Sequence, residues 1–67
     1  MKTFYDLLQL LKKFGIFIYT RDRKMDLQLM EKEVHELHNW GMIDTQTFQQ
    51  ALLILRKELS QVKETKL

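Results

Sequence analysis

Apolar side chains fall into three helical stripes along this chain, parted at its two glycines. In the middle stretch Leu27, Met30, Val34 and Leu37 recur at intervals of three, four and three residues, which keeps them on one face of an α-helix. Asp22 stands where a carboxylate accepts the free N–H groups of a first turn. Gly41 stands where the chain leaves the helix through a positive φ. The spacing predicts a central helix over 23–39, with flanking segments that bury their stripes against it or against each other.

Before it, Phe4, Leu7, Leu8, Leu11 and Phe14 form the stripe of a first helix over 4–13. Thr3 and Asp6 make a capping box with Asp in the place of the usual Glu or Gln. Gly15 stops the helix, and Lys12 and Lys13 suit the negative end of its dipole. Ile16-Phe17-Ile18-Tyr19 is β-branched and aromatic, and reads as a short extended connector. Continuation of the first helix through Gly15 is the competing reading. After the central helix, Asp44 caps a third one over 45–62, and Ile43 packs on Phe48 as a hydrophobic staple. Phe48, Leu52, Leu55, Leu59 and Val62 form its stripe, widened by Ala51 and Ile54. The tail 63–67 is expected to fray. The fold class is therefore all-α, a three-helix bundle, and short connections give it up-down-up order. Leu11, Leu27, Met30, Val34, Leu37, Leu52 and Leu55 are its expected core.

Sixty-seven residues make a single small domain, and a chain of this size buries only about 60% of its unfolded surface. A hydrophobic content of 45% suits a folded protein rather than a disordered one. There is no cysteine to form a disulfide or a thiolate metal site. No apolar run is long enough to span a membrane, and the N-terminus lacks the pattern of a signal peptide, so a cytoplasmic location is expected.

Nothing in the chain has the look of catalytic machinery, and no enzyme is expected. There is no Gly-rich phosphate loop, and the lone serine, Ser60, falls late in the third helix. Glu31, His35 and His38 share one helical face and are metal-ligating types. They also fit a solvated polar face opposite the apolar stripe, and that reading is preferred: no metal, no cofactor. Phe4, Phe14 and Phe48 belong to apolar stripes. Tyr5, Phe17, Tyr19 and Trp40 are less constrained, and are expected to close over the ends of the core.

Charge is more informative. The net charge is +2, with a pI near 9.0. In up-down-up order one pole gathers Lys12, Lys13, Arg21, Arg23, Lys24, Arg56, Lys57, Lys63 and Lys66 against Asp22, Asp26, Glu58 and Glu64. Arg23 and Lys24 lie in the first turn of the central helix, where the helix dipole disfavours cations. A local rule broken without evident structural gain points to a site, and free N–H groups at a helix start favour anions.

Thr3-Phe4-Tyr5-Asp6, Ile18-Tyr19-Thr20 with Asp22-Arg23, Leu29-Met30-Glu31 and Ala51 through Arg56 together resemble the YqgQ-like family of small proteins from Gram-positive bacteria. The resemblance runs from Thr3 to about Leu59. It implies a compact three-helix domain, and single-stranded nucleic-acid binding has been suggested for such proteins. None of these strings is a catalytic motif. Arg21 stands where the family pattern implies glycine. Two functions follow as expectations. The first is a binding module for single-stranded nucleic acid, with Lys12, Lys13, Arg23 and Lys24 on phosphates and Arg21 and Arg56 in support. The second is a protein-interaction module or small regulatory subunit, using Phe17, Tyr19 or Leu53, or the acidic face of the central helix.

Overall fold

The computed structural model describes residues 2–62. Three helices, α1 (Phe4–Lys13), α2 (Arg23–Asn39) and α3 (Thr45–Gln61), form an all-α bundle. The expected fraying of 63–67 lies outside the described residues, as do Lys63 and Lys66.

Local chemistry sets the helix ends. The Thr3 hydroxyl accepts from the Asp6 N–H at 3.2 Å, and the Asp6 carboxylate accepts from the N–H groups of Lys2 and Thr3 at 2.9 and 3.2 Å. Asp22 accepts from the Met25 N–H at 3.2 Å, and Asp44 from the Thr47 N–H at 2.8 Å. These bonds satisfy donors that have no partner within the helix. Gly15 and Gly41 take φ of 76° and 75°. At both, the two residues after the last turn donate back into it. Gly15 and Ile16 donate to Lys12 and Leu11, and Gly41 and Met42 to His38 and Leu37. Both helices thus end in the Schellman arrangement that glycine permits.

The core is Leu7, Leu11, Leu27, Met30, Val34, Leu37, Ile43, Ala51 and Leu55. Leu52, expected within it, is only half-buried. Ile43 is buried beside the α3 cap with Phe48 packed on the same cluster, as the staple requires. Residues 16–20 are not helical and Gly15 turns the chain at a positive φ, so helix continuation through Gly15 is set aside.

The direction of α1 differs from up-down-up order. Arg23, at the start of α2, lies over the ring of Phe4, at the start of α1, 4.8 Å from its centroid. The same arginine reaches Glu58, near the end of α3. Leu10 and Lys13, near the end of α1, share a depression with Thr47 at the start of α3. Helices α1 and α2 therefore start at the same end, and α3 runs against both. The reason is the length of the link. A helix of ten residues is about 15 Å long. Five extended residues span about 16 Å, so the connector returns the chain to the level where α1 began. Along the way Ile16 and Ile18 turn inward onto the core. Backbone packing is closest between α2 and α3, then between α1 and α3.

Candidate functional site

The connector forms the most distinctive surface of the molecule. Its side chains alternate as an extended backbone requires: Ile16 and Ile18 are half-buried, whereas Phe17 and Tyr19 are 73% and 80% exposed. Leu8, Gln9, Leu11 and Lys12 of α1 and Met30 of α2 line a shallow cleft with residues 16–19. A second cleft continues from it, lined by Phe4, Leu8, Ile18, Tyr19, Arg21, Arg23, Asp26, Leu27 and Met30. Lys12 thus stands at one end of the aromatic strip, and Arg21 and Arg23 at the other.

Asp26 holds the strip in place. It is 9% exposed, the one buried charged residue among those described. Its carboxylate accepts from the Thr20 N–H at 2.8 Å and from the Thr20 hydroxyl at 2.6 Å. The Thr20 hydroxyl oxygen also accepts from the Asp22 N–H at 3.2 Å. Sequence reasoning counted Asp26 only as an offsetting charge. Thr20 six residues earlier is the signal for its role, a hydroxyl within reach once the chain turns. No backbone hydrogen bond pairs Phe17, Ile18 or Tyr19 with another described residue.

The candidate cations do not form one pole, because α1 runs opposite to the expected direction. Lys12 faces the connector, whereas Lys13 shares the Asp6, Leu10 and Thr47 surface. Arg21 is exposed beside Tyr19, at the φ of 71°. Lys24 and Arg56 are exposed on α2 and α3, and neither lines the two clefts. Arg23 has a packing role that the dipole argument missed. Its guanidinium donates to Glu58 at 2.6 Å while lying over Phe4, so one side chain clasps an end of all three helices. A cation in the first turn of α2 therefore has a structural gain after all.

The histidines are not on a face opposite the core. His38 stacks on Phe48 with centroids 4.1 Å apart and planes 7° from parallel, and His35 meets the same ring edge-on at 5.0 Å. The His38 Nε2 lies 3.3 Å from the Thr45 hydroxyl, and the His35 Nε2 lies 3.8 Å from the Glu31 carboxylate. Both rings shield Phe48 at the α2–α3 seam. Among the described residues no three His, Asp or Glu side chains converge as metal ligands. No helix among them is long and apolar enough to cross a membrane.

Two carboxylates have lowered pKa values. Hydrogen bonds from the Lys2 and Thr3 backbone hold Asp6 below its usual 3.8. Hydrogen bonds from Thr47, side chain and then backbone, do the same for Asp44.

The fold and its strip define a small all-α domain in which an extended connector is tied along a three-helix bundle. A family model described as YqgQ-like matches residues 1–61, and the chain belongs to the YqgQ-like family. It is 44% identical over 63 residues to "Uncharacterized protein YqgQ" of Bacillus subtilis (strain 168), covering 94% of this chain and 89% of that protein.

Proposed function

We propose that this protein is a small non-enzymatic module that binds single-stranded nucleic acid. The observation that carries the proposal is the placing of two exposed aromatic rings, Phe17 and Tyr19, between Lys12 on one side and Arg21 and Arg23 on the other. Aromatics set among cations suit a polyanion with unpaired bases. Lys12 and Arg21 are the primary phosphate contacts in this reading. Arg23, whose charge is compensated by Glu58, holds the helix ends beside the cleft, and Lys13, Lys24 and Arg56 contribute at longer range.

Phosphate contacts release counterions, so log affinity falls with log salt at a slope of about −0.7 per contact. Fluorescence anisotropy of a labelled oligonucleotide tests this at about 50 mM salt and above. The Lys12→Gln/Arg21→Gln variant is expected to flatten the slope and weaken binding with its fold intact. An absence of binding by the wild type, or equal binding by the variant, contradicts the proposal. In that event the second reading, a protein-interaction module, takes its place. It draws on the unpaired backbone of residues 17–19, which suits the addition of a peptide strand.

A further inference from the structure

We infer that the connector is a stacking platform for two consecutive unpaired nucleotides, one base on Phe17 and the next on Tyr19, with Lys12 and Arg21 against the adjoining phosphates. This deepens the nucleic-acid reading and rests on it. Residues two apart on an extended chain project from the same face about 6.6 Å apart. That interval lets successive bases of an open strand each lie on a ring, a contact every base offers because every base has a π-face. A duplex keeps those faces stacked inside itself, so the platform selects single strands.

The platform is built to keep its shape. The inward residues Ile16 and Ile18 pack against the core and face the two rings outward. At one end the Ile16 N–H donates to the Leu11 carbonyl at 2.9 Å. At the other the Thr20 N–H donates to the buried Asp26 at 2.8 Å. Between these anchors the main-chain donors and acceptors of Phe17, Ile18 and Tyr19 have no partner among the described residues. Of the charged α2 residues that line the cleft, Arg23 is a cation and Asp26 has its carboxylate occupied by Thr20. The other exposed aromatics lie off the strip: Trp40 caps the far end of α2, and Tyr5 is on α1 outside both clefts.

The test compares a short labelled oligothymidine with a duplex of the same length by fluorescence anisotropy. The proteins are the wild type, Phe17→Ala, Tyr19→Ala, the double variant, Tyr19→Phe and Trp40→Ala, each checked for folding by circular dichroism. The wild type is expected to prefer the single strand. Loss of either ring should weaken single-strand binding by about tenfold. The double variant should lose the preference for single strands and keep the salt slope. Tyr19→Phe and Trp40→Ala should bind as the wild type does. A double variant that binds the single strand as tightly as the wild type overturns the platform and leaves the phosphate reading standing. Equal loss in Tyr19→Phe overturns stacking as its basis. A wild type that binds neither oligonucleotide overturns both.

Discussion

Asp26 shows how one side chain sets the surface of this domain. Its carboxylate satisfies the Thr20 N–H and hydroxyl in a nearly dry position. Asp26→Ala removes two hydrogen bonds to a carboxylate, at a cost of about 1–3 kcal/mol. Chemical denaturation should show a lowered midpoint, with faster amide exchange at Thr20; an unchanged midpoint contradicts the anchoring role. Arg21 makes the complementary case. At a φ of 71° its side chain is strained, which is the physical reason a glycine suits this position. Relief of strain and the greater freedom of an unfolded glycine oppose each other, each by roughly 1 kcal/mol. Arg21→Gly is therefore expected to leave the thermal midpoint unchanged or slightly raised, while weakening oligonucleotide binding. A clear fall in the midpoint contradicts the strain.

Acid stability belongs to the same scale. Asp6 and Asp44 have folded pKa values below the usual 3.8, so their capping bonds contribute fully above that value. The contribution is lost as pH falls through the lowered values. Thermal melts of the wild type should hold steady from about pH 7 to pH 5 as far as these two groups are concerned, and decline below about pH 4. Asp6→Asn/Asp44→Asn should decline less over the acidic range, and an equal decline assigns the acid sensitivity to other groups. The caps were legible in the sequence because cap and donor lie three residues apart. The partnership of Arg23 with Glu58 spans 35 residues and was not. Nor was the cover of His35 and His38 over Phe48, which depends on the facing of α2 and α3.

At the scale of elements, stripe periodicity and end signals gave the bounds of α1 and α2 as observed, and those of α3 to within one residue. The direction of α1 differs from the sequence expectation for a reason of length: the link, when extended, is as long as the helix it follows. That one difference moves Lys12 and Lys13 away from the start of α2 and brings Phe4 there. The packing of α3 gives the sharpest check. Leu55 is fully buried, and Leu55→Ala should cost about 2–5 kcal/mol, enough to unfold much of so small a domain. A near-unchanged melting temperature shows the α3 stripe to be misassigned. His38→Ala should cost about 0.5–1.5 kcal/mol through loss of the stacked contact with Phe48, and His35→Ala less.

At the scale of the whole molecule, an α2–α3 hairpin and α1 hold a core, and the connector turns an apolar edge inward and an aromatic edge outward. The candidate cations were legible as residue types but not as a set, because only the path of the connector decides which of them meet. The central claim is that a single strand binds along this connector. Amide chemical-shift mapping of the isotope-labelled protein, titrated with a short oligothymidine, tests it most directly. The account predicts shifts concentrated at Lys12 and at residues 16–21, saturating together and diminishing as salt is raised. Shifts centred on the turn between α2 and α3, or none at all, contradict it.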